Sequence, residues 1–167
     1  PVITIGRGGG KNNILCHPGL LKKAGISIVE TDRGGDITLH SPGQLVGYPI
    51  FDLSSLKEDL HWFLREIERC IIEVLDIFGL KGSRTEGMTG VWIKNSRKIC
   101  AIGMHCSRWV TSHGFALNVN NDLNLFSYII PCGIKGKSVT SISEETGKQI
   151  DFIQIEKTVS EIFRKNF

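Results

Sequence analysis

The chain lacks any apolar stretch near the roughly 20 residues that a membrane-spanning helix requires. It has no run of five like charges, and its formal net charge at pH 7 is only +3. No basic stripe interleaves with aromatic residues, which argues against nucleic-acid binding. No basic region followed by an apolar core opens the sequence, so we expect no secretory signal. These absences disfavour membrane and nucleic-acid partners and predict a cytoplasmic protein.

The cysteines are too few and too irregularly spaced for a disulfide framework. They are Cys16, Cys70, Cys100, Cys106 and Cys132, an odd number without a CxxC pair. The two Cys-His neighbour pairs would point to opposite faces of a strand, so the ligand spacing of a zinc site is also missing. We therefore expect free thiols, a reducing compartment and no metal.

The glycine-rich segments lack a nucleotide-binding signature. Lys11 follows a glycine, but Asn12 stands where a phosphate loop needs serine or threonine. Lys137 has the required neighbours, but Pro131 occupies the first glycine position of that motif. Neither the GxGxxG fingerprint in a strand-turn-helix setting nor the GxSxG hydrolase motif occurs. We therefore expect no cofactor.

The clearest predicted element is a helix from about Leu56 to Phe78. Ser55 and Glu58 form a capping-box pattern before it, and Gly79 is a plausible stop. Apolar residues at helical spacing form one stripe along this segment. Cys70 lies beside the stripe, where a free cysteine packs as a small apolar residue.

The other segments predict one α+β domain over residues 1–167. Further helices are expected at 18–24 and 151–167. Strands are expected at 2–5, 26–31, 36–39, 44–51, 90–93, 98–106 and 110–119. Because strands and helices do not alternate regularly, we predict a mixed, mostly antiparallel sheet with flanking helices.

Cys132 differs from the other cysteines because it lies in a loop, between Pro131 and Gly133. A thiolate is a good nucleophile, and a neighbouring glycine lets backbone N–H groups approach a developing oxyanion. This pattern predicts acyl transfer through a thioester. The simpler interpretation is a packed loop thiol without a chemical role.

A thiol with an ordinary pKa of about 8.5 needs a partner to ionise at neutral pH. Lys98 enters an otherwise apolar strand and is one candidate. An ammonium about 4 Å away would favour the thiolate by about 4 kcal/mol at an effective dielectric constant of about 20. His40 and His113 are alternative partners, and the spacing alone does not choose among the three. A solvated lysine at a hairpin end is the simpler interpretation of Lys98.

Four ordered motifs carry a family resemblance. RGGDITLHSPGQLVGYPI (33 to 50) resembles the signature of the octanoyl-acyl carrier protein:protein octanoyltransferases, the lipoate-protein ligase B family. KICAIG (98 to 103), TSHGFALNVN (111 to 120) and PCGI (131 to 134) match the same family in the same order. PVITIGR (1 to 7) matches its early strand. The resemblance implies a fold similar to the biotin and lipoate protein ligase catalytic domains.

The resemblance also implies a two-step reaction and a set of site residues. Cys132 would take an octanoyl group from octanoyl-acyl carrier protein, with Lys98 lowering the pKa of its thiol. The acceptor would be a lysine on a lipoyl domain of a 2-oxoacid dehydrogenase complex or on the glycine cleavage H protein. The implied acyl-binding residues are Arg33, Gly34, Gly35, Asp36, Ile37, Thr38, Leu39, His40, Ala101, Ile102, Gly103, Gly114, Phe115 and Ala116.

An acyl chain needs an apolar slot, for which the expected walls are Ile37, Leu39, Ile102 and Phe115. Thioester-to-amide transfer runs downhill, so ATP is not required. The alternatives are an ATP-dependent lipoate or biotin ligase on the same fold, a thioesterase with water as acceptor, and a non-catalytic acyl- or protein-binding module.

The sequence departs from the family pattern in two places. Ser41 replaces a glycine of the family's HGPGQ run, for which we expect only a local adjustment. The helix and strand that usually precede the motif at residues 1–7 are not part of this sequence, so we expect an open sheet edge.

Overall fold

The computed structural model describes residues 1–131 and 136–167, and within these residues the strands form two β-sheets. The strands are β1 (Val2–Ile5), β2 (Ser27–Glu30), β3 (Ile37–His40), β4 (Gln44–Gly47), β5 (Gly82–Thr85), β6 (Met88–Ile93), β7 (Arg97–Ser107), β8 (Val110–Asn118) and β9 (Ser138–Val139). The helices are α1 (Pro18–Lys23), α2 (Leu60–Ile77), α3 (Ile142–Thr146) and α4 (Phe152–Asn166). The predicted α+β class is confirmed.

The smaller sheet has the order β2-β1-β3, with β2 parallel and β3 antiparallel to β1. The face of this sheet that points away from the larger sheet forms one core with α1 and the 3₁₀ segment Leu123–Tyr128. All four residues of β2 are exposed, including Ile28 and Val29. The exposed edge of this sheet is therefore β2, and β1 is its central strand.

The larger sheet has the order β4-β8-β7-β6-β5, and β9 pairs with β7 in parallel. Its other pairings are antiparallel. Helices α2 and α4 cover one face of this sheet and form the main core. That core includes Phe63, Ile67, Cys70, Ile71, Val74, Val91, Ile99, Cys100, Leu117, Ile155 and Ile162.

The start of the long helix differs from the prediction. The carboxylate of Asp59, rather than Ser55, accepts the N–H of Trp62 at 2.9 Å and caps α2. The Ser55 hydroxyl instead donates to the Asp52 carbonyl oxygen, within a separate 3₁₀ turn. The predicted stop is confirmed, because Gly79 has the positive φ of +75° that favours glycine after a helix.

The predicted strand at 44–51 is too long. β4 ends at Gly47, and the side chains of Tyr48 and Ile50 are 65% and 63% exposed. The chain leaves the sheet there as it approaches Pro49. The short elements β5, β9 and α3 carry too few periodic residues to be recognised in the sequence.

One carboxylate is fully buried beneath the larger sheet. Glu68 of α2 accepts the backbone N–H of Gly90 at 2.9 Å. Its other oxygen lies 2.7 Å from Arg65 Nη1 and 3.2 Å from Arg84 Nε. Two guanidinium groups therefore balance the charge, and the carboxylate fixes the backbone of β6.

We expect Glu68→Ala to lower the free energy of unfolding by about 2–4 kcal/mol, because Gly90 loses a buried acceptor and a cavity forms. Urea denaturation measures the change. The control is Glu161→Ala, whose carboxylate is 65% exposed and pairs with Lys157 at 3.8 Å. We expect less than about 0.5 kcal/mol for that surface pair. Equal losses in the two variants would contradict the role of Glu68.

Candidate functional site

A cavity of about 680 Å³ lies between the two sheets. It is bordered by every described residue of the implied site except Gly34 and Leu39. The bordering residues are Lys98, Arg33, Gly35, Asp36, Ile37, Thr38, His40, Ala101, Ile102, Gly103, Gly114, Phe115 and Ala116. The fold thus brings two distant stretches of sequence to one cavity.

Gly34 and Leu39, which do not border the cavity, contribute to the packing of the fold. Leu39 is fully buried in the core of the smaller sheet, while its neighbours Thr38 and His40 border the cavity, as strand alternation requires. The N–H of Gly34 donates to the Met104 carbonyl oxygen at 2.8 Å, and a Cβ on Gly34 would lie 2.7 Å from that oxygen. Gly34 therefore docks the loop after β2 against β7.

The floor of the cavity consists of small residues. Ala101 pairs with Ala116, and Gly103 pairs with Gly114, across β7 and β8. Of the expected walls, Ile37, Ile102 and Phe115 border the cavity and Leu39 does not. Phe115 borders the cavity, but its ring stacks on Phe163 of α4 at 5.4 Å on the other face of the sheet.

The other expected walls also belong to the cores. Ile102 packs against the main core, and Ile37 and Leu39 lie in the core of the smaller sheet. Of the four expected walls only Leu39 does not border the cavity, and period-2 alternation explains this, because its neighbours Thr38 and His40 face the cavity instead.

Lys98 is 6% exposed and lies beside Trp92. Its Nζ is 4.7 Å from the centroid of the indole ring, within the range of a cation–π interaction. A register shift in the β6–β7 pair places Val91 opposite Cys100 but Trp92 opposite Lys98. Such a bulge re-aims side chains, and here it brings the ammonium and the indole to one place.

Gly90 leaves the space that Lys98 occupies. Its φ is +119°, which favours glycine, and a Cβ there would lie 2.6 Å from the Cys100 carbonyl oxygen and 3.4 Å from Lys98 Cε. The Glu68 carboxylate holds the Gly90 N–H from the helix side. The buried lysine therefore depends on the backbone of β6 as well as on Trp92.

Cys132 and Gly133 lie outside the described residues, but residues on both sides of them lie near Lys98. Pro131, Val139 and Lys98 together border a second, much smaller cavity. Val139 of β9 pairs with Lys98, and the N–H of Thr140 donates to the Lys98 carbonyl oxygen at 2.9 Å.

A polar chain lines one side of the cavity. His40 Nδ1 lies 3.3 Å from Gln44 Oε1, so Nδ1 is the donor, and His40 Nε2 lies 3.4 Å from the Thr4 hydroxyl. Arg33 donates to the same hydroxyl and, at 2.7 Å, to the Thr4 carbonyl oxygen. Burial, and secondarily the Arg33 charge, lowers the pKa of His40, while Gln44 opposes the shift. His40 is therefore neutral near pH 7.

His113 is engaged away from Lys98. Its Nε2 lies 2.6 Å from Asp32 Oδ1, and His105 Nε2 lies 3.9 Å from Asp32 Oδ2. The hydrogen bond from His113 lowers the pKa of the Asp32 carboxyl group. His113 has φ of +61°, which is unusual for a residue with a side chain.

Sequence reasoning missed part of the lining. The missed residues are Val2, Thr4, Thr31, Val46, Tyr48, Gly87, Met88 and Thr89. The sequence could have predicted Thr4, because it alternates with the core residues Ile3 and Ile5 and must therefore face away from them.

Four cysteines are free, as predicted: Cys16, Cys70, Cys100 and Cys106. Burial raises the pKa of Cys70 to about 11. Burial also raises the pKa of Cys100, although the Lys98 charge opposes this. Within residues 1–131 and 136–167, no three acidic, histidine or cysteine side chains are placed to hold a metal ion. No helix in that part of the chain has the length and apolarity to cross a membrane.

Comparison with known proteins identifies relatives of this chain. A family profile described as the lipoyl protein ligase A/B catalytic domain matches residues 1–164. An octanoyltransferase of Porphyromonas gingivalis is 48% identical over all of this chain, which spans 35% of that protein. An octanoyltransferase of Christiangramia forsetii is 47% identical over 99% of the chain, which spans 73% of that protein.

A solved structure confirms the predicted likeness of fold to lipoate protein ligases. It is a bi-partite lipoate protein ligase of Thermoplasma acidophilum, solved in a study that included its E2 lipoyl domain. The match has a TM-score of 0.77 at 17% identity and covers 99% of this chain and 67% of that one. The sequence identity to curated relatives and the family profile together show that this chain belongs to the lipoyl protein ligase A/B catalytic domain family.

Proposed function

We propose that this chain transfers an octanoyl group from octanoyl-acyl carrier protein to a lysine of a lipoyl domain, through a thioester on Cys132. The observation that carries the proposal is the buried ammonium of Lys98 at one end of a cavity with a floor of small residues. The segment that contains Cys132 is flanked by Pro131 and Val139, which both lie beside Lys98. Curated relatives named octanoyltransferase support the choice of acyl group.

In the first step, the Cys132 thiolate attacks the carbonyl carbon of the acyl-carrier thioester. The bond between that carbon and the carrier sulfur breaks, the carrier thiol leaves, and the octanoyl group stays on Cys132. In the second step, the ε-amine of the acceptor lysine attacks the new thioester. The amide forms, Cys132 leaves as a thiolate, and the amine loses a proton.

Lys98 has two roles in this scheme. Its positive charge stabilises the thiolate before attack and again when Cys132 leaves. It also gives a proton to the departing carrier thiol and takes one back from the acceptor amine. Because Lys98 is held in a site largely closed to water, its charge acts over a short distance with little screening.

The floor of the cavity suits a linear acyl chain. Ala101 and Ala116 leave one stretch of floor without branched side chains, and this stretch ends where the Gly34 and Gly47 carbonyl oxygens cover Gly103 and Gly114. The acceptors we propose are the lipoyl domains of 2-oxoacid dehydrogenase complexes and the glycine cleavage H protein. Transfer from thioester to thioester is near balance and transfer to an amide is downhill, so the reaction needs no ATP and no cofactor.

We expect a covalent octanoyl adduct when the protein is mixed with octanoyl-acyl carrier protein in the absence of ATP. Intact-protein mass spectrometry detects the adduct, and peptide analysis locates it. Cys132→Ser should lack the thioester, whereas Cys106→Ser, a matched control, should retain it. Addition of a lipoyl domain should then remove the adduct and create an amide.

The same experiment separates the alternatives. A strict ATP requirement would indicate an ATP-dependent ligase, and release of free octanoate without amide would indicate a thioesterase. Absence of both adduct and turnover, with binding of the acyl donor retained in Cys132→Ser, would indicate a non-catalytic binding module. Each of these results would overturn the proposed function.

We expect Lys98→Ala to reduce octanoyl transfer by about 10²- to 10⁴-fold, as for loss of an acid–base group. It should also move the rate–pH curve of iodoacetamide alkylation at Cys132 towards higher pH, because the thiolate loses its nearby positive charge. Mass spectrometry of the Cys132 peptide follows the alkylation.

The matched control is Lys137→Ala. Lys137 Nζ is 6.0 Å from the Trp92 ring centroid, but the residue is only half-buried and donates to the Asn95 carbonyl oxygen. We expect transfer within about twofold of the wild type, as for most surface substitutions. If the alkylation profile of Lys98→Ala coincides with that of Lys137→Ala, Lys98 has no role in activating the thiol.

A further inference from the structure

Glu68 is a buried carboxylate that the proposed reaction does not use. It lies on α2, the helix that packs on the helix face of the larger sheet, and it is fully buried. Burying a carboxylate is unfavourable, and an apolar side chain of similar volume often serves stability as well. A carboxylate in such a place therefore points to a neighbour that needs an acceptor. The backbone N–H of Gly90, which donates to Glu68 Oε1 at 2.9 Å, is that neighbour.

The pairing of β6 is irregular around Gly90. In the register with β5, Trp92 and Met88 have partners, but the three residues between them are skipped. In the register with β7, a shift follows directly afterwards, between Val91 and Trp92. With φ of +119°, Gly90 turns its N–H out of the sheet and towards α2. Because a buried N–H without an acceptor is unfavourable, this backbone conformation depends on Glu68.

The same glycine contacts the side chain of Lys98. A Cβ at Gly90 would lie 3.4 Å from Lys98 Cε, so the glycine backbone lies directly beside the end of the lysine stem. Two residues further along β6, the ring centroid of Trp92 is 4.7 Å from Lys98 Nζ. Two positions of one strand thus hold the lysine, Gly90 at Cε and Trp92 at the ammonium. Movement of the β6 backbone at Gly90 would open the first contact and shift the second.

Glu68 also anchors the hairpin formed by β5 and β6. Its other oxygen, Oε2, lies 3.2 Å from Nε of Arg84 in β5. Arg84 Nη2 in turn donates to the carbonyl oxygen of Arg65 in α2 at 2.6 Å. Residues 87–89, at the turn of this hairpin and the start of β6, border the cavity together with Lys98. One carboxylate on the helix face therefore holds a strand that lines the cavity.

We propose that Glu68 is a positioning residue for Lys98. Through the Gly90 N–H it fixes the backbone of β6, and through that backbone it keeps the lysine ammonium beside Trp92 at the cavity. Glu68 itself touches neither substrate nor reacting atoms. The consequence for acyl transfer rests on the proposed function, because it assumes that Lys98 acts in that reaction. The placement of the Lys98 side chain can be measured without any transfer.

The test uses the variants Glu68→Leu and Glu68→Gln. Leucine fills a similar volume but offers the Gly90 N–H no acceptor. Glutamine keeps an acceptor oxygen at the same reach, and Arg65 and Arg84, whose side chains are 47% and 42% exposed, can turn towards water. The matched control is Ile155→Ala, which creates a cavity in the main core from α4 rather than from α2. Urea denaturation measures the free energy of unfolding of all three variants.

The first measurement is the acetylation rate of Lys98 in a short pulse of N-hydroxysuccinimidyl acetate, followed by peptide mass spectrometry. Lys98 is 6% exposed, and Lys157, with a side chain that is 75% exposed, is the internal reference. We expect Lys98 to react at least about tenfold faster in Glu68→Leu than in the wild type, because a buried N–H without an acceptor favours local opening by about that factor. Glu68→Gln and Ile155→Ala should react close to the wild-type rate.

Three results would overturn the inference. They are a Lys98 rate in Glu68→Leu equal to that of the wild type, a rate equal to that of Ile155→Ala, and an equal acceleration in Glu68→Gln. If circular dichroism shows that Glu68→Leu does not fold, Glu68→Asp takes its place under the same criteria. Aspartate keeps the charge beside the two arginines, but it is one methylene shorter and withdraws the acceptor from the Gly90 N–H.

Octanoyl transfer is the second measurement and keeps the two proposals separate. We expect kcat in Glu68→Leu to fall by about ten- to a hundredfold, because a misplacement of about 1 Å can cost that much, while KM for the octanoyl-carrier protein changes little. Glu68→Gln should retain most of the wild-type kcat. Faster labelling of Lys98 with an unchanged kcat in Glu68→Leu would also overturn the inference. If the wild type transfers no octanoyl group, the proposed function fails, and the labelling of Lys98 still decides the positioning.

Discussion

The site depends on keeping one lysine ammonium inside the protein. Lys98 is buried, and moving a charge out of water is unfavourable unless the surroundings stabilise it. The indole face of Trp92, 4.7 Å from Nζ, stabilises the charge without adding a negative one. A carboxylate in that position would offset the positive charge of the lysine. Glu68, the buried carboxylate behind β6, is instead balanced by two arginines.

Two local irregularities make this arrangement possible, and neither can be read from residue types. The register shift in the β6–β7 pair turns Lys98 towards Trp92, and Gly90 adopts a backbone conformation that leaves space for the lysine. Regular pairing would have put Ile99 opposite Trp92. A bulge depends on how two strands pair, so the apolar pattern within one strand predicts the strand but not the bulge.

The sequence predicts the helices and strands that have regular apolar spacing or a local motif. The strand containing Lys98, the hairpin β7–β8 and the helix α2 follow from apolar spacing, and the family motifs predicted most of the cavity lining. The prediction failed where several side chains could make the same contact. Asp59 rather than Ser55 caps α2, because the Ser55 hydroxyl already donates within the preceding turn. The expected apolar wall was wrong at Leu39, because an apolar side chain in a strand more often faces a core than a ligand.

Different residues therefore form the two cores and line the cavity. Large apolar residues form the two cores on the outer faces of the sheets, and the cavity lies between Ala101 and Ala116 of the larger sheet and Thr4, Thr38 and His40 of the smaller one. Lys98 borders the cavity from β7, with its ammonium against the Trp92 ring. A neutral chain gains nothing from charge along its length, so a buried ammonium such as Lys98 can act only on the polar end of a ligand in this cavity.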